Sequence, residues 1–195
     1  MPRCSALKRS TKETDIALRI EMDGEGQGCI ETGVGFFDHM LTLLAKHSLI
    51  NLEIKAKGDL QVDAHHTVED VGLLLGQAIR ESLGDKKGIV RYGSAIVPMD
   101  EARVQVALDL SGRPHLVYEM ELQSDKVGEF DTCLAREFFQ ALANSAAMNL
   151  HVEMQAGVND HHIIEAAFKA LGRALRQAAS IDPREKSVPS SKGVL

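Results

Sequence analysis

Two copies of a His-His-x-x-Glu motif hold the residues whose types and spacing could do chemistry. The copies lie at residues 65–69 and 161–165. On a helix, residues four apart share a face, so the first histidine and the glutamate of each copy can hold one divalent ion. The second histidine points about 100° further round a helix of ~3.6 residues per turn. The pattern therefore predicts two helices with a pair of metal ions between them.

An internal repeat positions these motifs, because His65 and His161 lie at an offset of 96 and residues 51–54 resemble residues 149–152 at an offset of 98. Core packing does not require adjacent imidazoles at equivalent places of a repeat, which favours metal binding. His39 and Glu137 lie in matching helices and could each add a ligand.

Each half shows the same order of predicted elements. The first half has strands at 15–22 and 27–33 around a glycine-rich hairpin turn at 24–26, then helix 36–47, strand 50–57 and helix 66–83. The second half has strands at 102–110 and 114–122 turned at 111–114, then helix 131–147, strand 148–155 and helix 162–179. The prediction is an α+β fold of two β-β-α-β-α halves, each a small sheet backed by helices on one face. The predicted units are residues 1–92, residues 93–186 and an extended tail at 187–195.

Composition narrows the class of function. A formal net charge of -6 and only 4% aromatic residues among 195 argue against binding to nucleic acid or anionic membranes. Three cysteines, Cys4, Cys29 and Cys133, form no CxxC pair and favour a reducing compartment. The chain shows no apolar segment of signal-peptide or membrane-spanning length, so we expect a cytoplasmic protein.

Several motifs together resemble those of the imidazoleglycerol-phosphate dehydratase family, and they extend from about residue 8 to the C-terminus. They are found at residues 11–14, 37–41, 63–70, 110–114, 161–166 and 189–193. The resemblance implies a lyase of histidine biosynthesis that dehydrates D-erythro-imidazole glycerol phosphate to imidazole acetol phosphate. It also implies two Mn²⁺ ions per active site and a homo-oligomer of 24 subunits.

The resemblance assigns roles to individual residues. The implied metal ligands are His39, His65, His66, Glu69, Glu137, His161, His162 and Glu165, although many relatives have histidine where this chain has Glu137. Glu13, Glu69 and Glu165 are the implied catalytic residues. The implied substrate contacts are Glu13 and, toward the phosphate, Arg91, Arg113, Ser190, Ser191 and Lys192. We expect the tail to close over the phosphate.

A metal pair suits this reaction because the proton to be removed lies on a carbon with no neighbouring carbonyl. With both ring nitrogens on metals, the imidazole can become an imidazolate, which then expels the hydroxyl group. An acid and a base are also needed, and Glu13 is the leading candidate, with Asp100 and Glu101 as weaker ones.

The same motifs also allow two other functions. A dinuclear metallohydrolase would use two metals to activate water. A metal-binding shell protein would fit the repeat but would leave the arginines and Lys192 without a purpose. A site shared between subunits is a further hypothesis, since neighbouring chains could contribute ligands to one centre.

Overall fold

The structure is a computed structural model that describes residues 3–195 and contains two four-stranded sheets and four helices. The strands are β1 (Cys4–Ser10), β2 (Thr14–Glu21), β3 (Gly28–Glu31), β4 (Asn51–Gly58), β5 (Tyr92–Met99), β6 (Ala102–Asp109), β7 (His115–Glu119), β8 (Lys126–Val127), β9 (Phe130–Asp131) and β10 (Asn149–Ala156). The helices are α1 (Gly35–Ser48), α2 (His65–Leu83), α3 (Cys133–Ala146) and α4 (Asp160–Ala179). The sheets have strand orders β1-β2-β4-β3 and β5-β6-β10-β7, and β8 pairs with β9.

The two sheets enclose a double layer of helices. Along β2, Ile16, Leu18 and Ile20 are buried while the residues between them are more exposed, which is the alternation of a strand covered on one face. Helices α1 and α2 cover the first sheet and α3 and α4 cover the second. The helices then pack across the middle, α1 on α4 and α2 on α3. The predicted α+β class, with two sheets each backed by helices on one face, is confirmed.

Glycines allow the helices of the two halves to approach closely. A Cβ atom at Gly172 of α4 would lie 2.9 Å from the carbonyl oxygen of Leu44 in α1. The equivalent Gly76 of α2 would bring a Cβ atom to 2.6 Å from the carbonyl oxygen of Leu142 in α3. Both distances are shorter than real Cβ contacts, so each crossing depends on glycine and fixes the distance between the helices.

Both predicted hairpins are wrong in their pairing. Residues 24–26 do connect β2 to β3, but β3 lies parallel to β4, with Ile30 opposite Ile54. Residues 111–114 likewise connect β6 to β7, which lies parallel to β10. In each half the chain returns through a helix, and the next strand inserts between the two that the turn connects.

Each half also begins with a strand that the sequence analysis did not predict. β1 and β5 pair antiparallel with β2 and β6 and form the true hairpins. β1 is an edge strand with a largely exposed burial pattern, so its sequence lacks a strong apolar alternation. The order is therefore β-β-β-α-β-α in the first half, and the second half has the same order with the short pair β8 and β9 added before α3. None of the four helices in residues 3–195 combines the length and the apolar composition of a membrane-spanning segment.

Candidate metal centre and anion cavity

Three side chains converge where α1 meets the first turns of α4. The Oε2 atom of Glu165 lies 3.2 Å from Nε2 of His161 and 3.5 Å from Nε2 of His39. All three donor atoms lie within 4.8 Å of one another. Donors that bind one divalent ion at about 2.1 Å lie roughly 3 to 3.5 Å apart. The spacing and the donor types therefore fit a metal ion.

The start of α4 holds this group in place. Asn159 precedes the helix, and its side chain accepts a hydrogen bond from the backbone N–H of His161, which fixes the first turn. Glu165 follows one turn later on the same face, with 8% of its side chain exposed. Nζ of Lys169, a further turn along, lies 2.6 Å from Oε1 of Glu165.

Lys169 keeps the Glu165 carboxylate ionised. Burial acts to raise the pKa of Glu165, but the hydrogen bond and charge of Lys169, with smaller contributions from His161 and His39, lower it overall. Lys169 was not among the residues predicted from the sequence. Its spacing of four residues from Glu165 was the available signal, and the equivalent position of the first half is Leu73.

The second histidine of each motif turns toward a carboxylate outside its helix. His162 donates from Nδ1 to Glu101 at 2.8 Å, and His66 donates from Nδ1 to Asp59 at 3.1 Å. The hydrogen bond to the carboxylate raises the pKa of each imidazole, despite a smaller opposing effect of desolvation. The Nδ1–H is thereby fixed, which leaves Nε2 as the atom that can bind a metal. Asp59 was not predicted, because nothing in the sequence links it to His66.

Hydrogen bonds keep the Glu101 carboxylate ionised. The hydrogen bond from His162 and then that from the backbone N–H of Asn159 lower the pKa of Glu101 to about 2. By contrast, the Oε1 atom of Glu13 lies 3.9 Å from Nε2 of His66, with about half of the Glu13 side chain exposed. The two glutamates occupy equivalent turns between the first two strands of each half.

Other predicted ligands are not brought together within one chain. In residues 3–195, His39, His161 and Glu165 form the only group of three such donors at metal-binding distances. The corresponding set of the first half is His65, Glu69 and Glu137, on α2 and α3. It contains two carboxylates, which repel each other when no cation lies between them, and Glu137 lies 3.6 Å from Arg136 instead.

The predicted placement of a metal pair between the two double-histidine helices is wrong within the chain. Among the described helices, α2 and α4 do not pack against each other; each packs on a helix of the opposite half. Gly76 and Gly172 lie at these two crossings and allow the close approach of the helices.

The predicted phosphate contacts line one surface cavity of about 400 Å³, which we call the anion cavity. Its polar lining includes Arg91, Ser111, Arg113, Ser190, Ser191 and Lys192. Arg91 donates from Nε and Nη2 to the carboxylate of Asp109, at 2.7 and 3.0 Å, and from Nη1 to the carbonyl oxygen of Pro189 at 2.8 Å. The tail thus lies against the body of the protein and forms one wall of the cavity. A buried lysine that the sequence analysis missed, Lys86, donates to the carbonyl oxygen of Leu110 at 2.9 Å.

The cavity and the metal donors lie at opposite ends of α4. The backbone N–H of Arg91 donates to the carbonyl oxygen of Ala178, near the end of the helix, while His161 lies in its first turn. At about 1.5 Å per residue, these positions are about 25 Å apart along the helix. Within one chain, a small molecule cannot contact both.

Comparison with known proteins gives a consistent result over the whole chain. A model of the family described as imidazoleglycerol-phosphate dehydratase matches residues 32–175. The imidazoleglycerol-phosphate dehydratase of Acetivibrio thermocellus is 60% identical over 195 residues, covering 100% of both chains. That of Oceanobacillus iheyensis is 56% identical over 193 residues, covering 99% of this chain and 100% of the relative.

Two solved structures are also similar. The imidazoleglycerol-phosphate dehydratase of Staphylococcus aureus subsp. aureus N315 has a TM-score of 0.84 and 42% identity, covering 92% of this chain and 99% of that one. The IGPD of Pyrococcus furiosus, solved in complex with (S)-C348, has a TM-score of 0.84 and 40% identity, covering 97% and 100%.

Proposed function

Because the chain belongs to the imidazoleglycerol-phosphate dehydratase family, we propose that it dehydrates D-erythro-imidazole glycerol phosphate to imidazole acetol phosphate with the help of divalent metal ions. The protein is a hydro-lyase, and the reaction belongs to histidine biosynthesis. The observation that carries the metal dependence is the convergence of His39, His161 and Glu165 at distances that suit one ion.

We propose two Mn²⁺ ions per active site. Imidazole and carboxylate donors suit Mn²⁺ among other divalent ions, and the family resemblance favours manganese over zinc or iron. His39, His161 and Glu165 would hold one ion, and the Nε2 atom of His162, or that of His66 from a neighbouring copy, would be available for another. When bound, such ions supply Lewis acidity toward the nitrogens of the substrate's imidazole ring.

Glu13 is the residue that we propose to move protons. Loss of water requires an acid at the leaving hydroxyl and a base at the C–H group. The carboxylate of Glu13 is accessible beside His66, whereas Glu101 is bound by His162 and by backbone N–H groups.

The anion cavity supplies the contacts for the phosphate. Arg91 is oriented by Asp109, and Arg113, Ser190 and Lys192 add donors around the same space. Closure of the tail here would exclude water and fix the substrate.

The active site is completed by another copy of the chain. A three-carbon chain with bonds of about 1.5 Å joins the ring of the substrate to its phosphate. It cannot span the roughly 25 Å of helix between His161 and Ala178, the residue to which the backbone of Arg91 is hydrogen-bonded in the same chain. One copy would supply the metal donors and another the anion cavity, in a homo-oligomer that we propose to have 24 subunits.

The test is to strip the protein of metal, add imidazole glycerol phosphate and then restore Mn²⁺. We expect the ketone to form only after Mn²⁺ is added. Release of inorganic phosphate without ketone would instead indicate a dinuclear hydrolase, and the absence of any turnover with retained metal binding would indicate a storage protein.

A further inference from the structure

The turn that carries Glu13 is fastened to α2 by a chain of polar contacts. Asp70 accepts a hydrogen bond from the Thr14 hydroxyl at 2.5 Å and another from Nε of Arg9 at 2.8 Å. The hydroxyl oxygen of Thr14 lies 3.3 Å from the hydroxyl oxygen of Thr11. Since Thr14 gives its only hydroxyl proton to Asp70, Thr11 is the donor in this contact. The oxygen of Thr11 accepts in turn from the backbone N–H of Glu13 at 3.1 Å.

The same helix carries the residue that Glu13 faces. His66 and Asp70 are four residues apart, so they lie one turn apart on one face of α2. Asp70 thus holds the base of the turn while His66 lies 3.9 Å from the carboxylate at its tip. Through this arrangement, a single helix sets the distance between Glu13 and the imidazole.

Packing alone does not require this cluster. Asp70 and Thr14 are 6% and 3% exposed, and burial of a carboxylate is unfavourable unless it is paired. The repeat provides an internal comparison, because the second half builds the same layer of sheet and helix with apolar residues at the equivalent positions. In place of Arg9, Thr14 and Asp70 it has Val97, Ala102 and Ala166.

The second half fixes its glutamate by other means. Glu101 binds His162 directly and accepts from the backbone N–H of Asn159 at 2.9 Å. Within residues 3–195, the carboxylate of Glu13 accepts no hydrogen bond, so its position depends on the turn that bears it. The polar cluster occurs in the half where the glutamate must stay accessible.

We propose that Asp70 is a positioning residue that acts through Thr14 and Thr11 to hold Glu13 in place for proton transfer. The inference rests on the proposed function, since it assigns the contacts that orient the residue carrying the protons. Thr14 is the most informative residue to substitute, because valine has nearly the same shape as threonine and lacks the hydroxyl.

The kinetic test compares Thr14→Val with Thr14→Ser in the Mn²⁺-loaded protein. We expect Thr14→Val to lower kcat roughly 10- to 100-fold, because small displacements of a proton-transfer group are costly, with KM changed less than about twofold. Thr14→Ser keeps the hydroxyl and should restore kcat to within about threefold of the unmodified protein. A uniform loss in both variants, or a change in KM alone, would overturn the proposal.

A double variant shows whether Thr14 acts through Glu13. In a Glu13→Gln background, Thr14→Val should change kcat by less than about twofold, because the group that it positions is already disabled. If the two losses instead multiply, Thr14 acts by another route and the proposal fails.

A structural measurement separates this inference from the proposed function. Hydrogen exchange at the Glu13 amide should become faster in Thr14→Val and normal again in Thr14→Ser, whatever the protein catalyses. Ile20→Val, a buried substitution on the same strand, is the matched control and should leave this exchange and kcat unchanged. Unchanged exchange in Thr14→Val would refute the positioning role, whereas altered exchange in a protein that makes no ketone would refute only the proposed function.

Discussion

Glu165 combines three contacts in one carboxylate, since it faces two imidazoles with one oxygen and Lys169 with the other. The lysine stabilises the anion, and the anion supplies the negative charge that a divalent ion needs. A buried carboxylate of this kind is a stronger indication of a metal centre than exposed histidines are.

Glu165→Gln should therefore weaken metal binding at this group at least tenfold, because the amide keeps the shape but loses the charge. Titration of the metal-free protein with Mn²⁺, followed by calorimetry or by the electron paramagnetic resonance of free Mn²⁺, measures the change. Glu119→Gln, on the exposed part of β7, is the control. Equal affinity in the two variants would contradict the assignment.

Mn²⁺ binding should weaken as the pH falls. The pKa values of His66 and His162 are raised in the metal-free protein by Asp59 and Glu101. A metal binds only neutral imidazole, so affinity is full above the raised pKa values and is lost as the pH falls through them.

The measurement is the Mn²⁺ affinity at several pH values, together with the protons released on binding. Proton release should increase as the pH is lowered toward the raised pKa values. The exposed His115 serves as the control, since His115→Ala should leave the profile unchanged. An affinity that stays constant from pH 8 to pH 6 would rule out these histidines as ligands.

At the scale of elements, the sequence predicted the helices well because each has a local apolar stripe. The predicted helix 66–83 compares with His65–Leu83, and the predicted helix 36–47 with Gly35–Ser48. Strand neighbours were not predictable in this way. The residues around Ile30 predict a strand but not its neighbour. Nothing in them shows that Ile30 pairs with Ile54, which follows α1, and not with a residue of β2 on the other side of the glycine-rich turn.

The same distinction applies to the candidate site: contacts within one helix can be predicted from the sequence, and contacts between elements cannot. The spacing of His161 and Glu165 needs only a helix, and the contact of Glu165 with Lys169 follows the same rule. Asp59 reaches His66 from the loop before α2, and Glu101 reaches His162 from the turn between β5 and β6, so both roles depend on how the chain folds outside the helices. The packing of each motif helix on the opposite half likewise depends on contacts that no single segment encodes.

The glycine at the crossing of α1 and α4 ties packing to the metal centre. Gly172→Ala should force α1 away from α4, lower the free energy of unfolding by about 1 to 3 kcal/mol and weaken Mn²⁺ binding by separating His39 from Glu165. Thermal unfolding and Mn²⁺ titration measure the two effects. Gly35→Ala is the control, because nothing lies within 4 Å of a Cβ atom there. Normal binding in Gly172→Ala would show that the crossing does not set the ligand distance.

At the scale of the whole molecule, the separation of His161 from Arg91 predicts complementation between chains. His161→Ala and Arg91→Ala subunits should each be inactive alone. Mixed assemblies should regain part of the activity, because an intact His161 and an intact Arg91 then meet in some sites.

The measurement is ketone formation after the two variants are unfolded, mixed and reassembled. Reassembly of each variant by itself is the control and should give none. If no mixture shows activity while the assemblies form normally, each site lies within one chain.

The 25 Å between the two ends of α4 also has a consequence for how the protein behaves in dilute solution. If each chain supplies metal donors to one site and the anion cavity to another, a lone chain has no complete site and no activity, however well it folds. Specific activity should then depend on protein concentration and drop steeply once dilution separates the copies. Catalysis would then require the assembled oligomer and could not occur in a single chain.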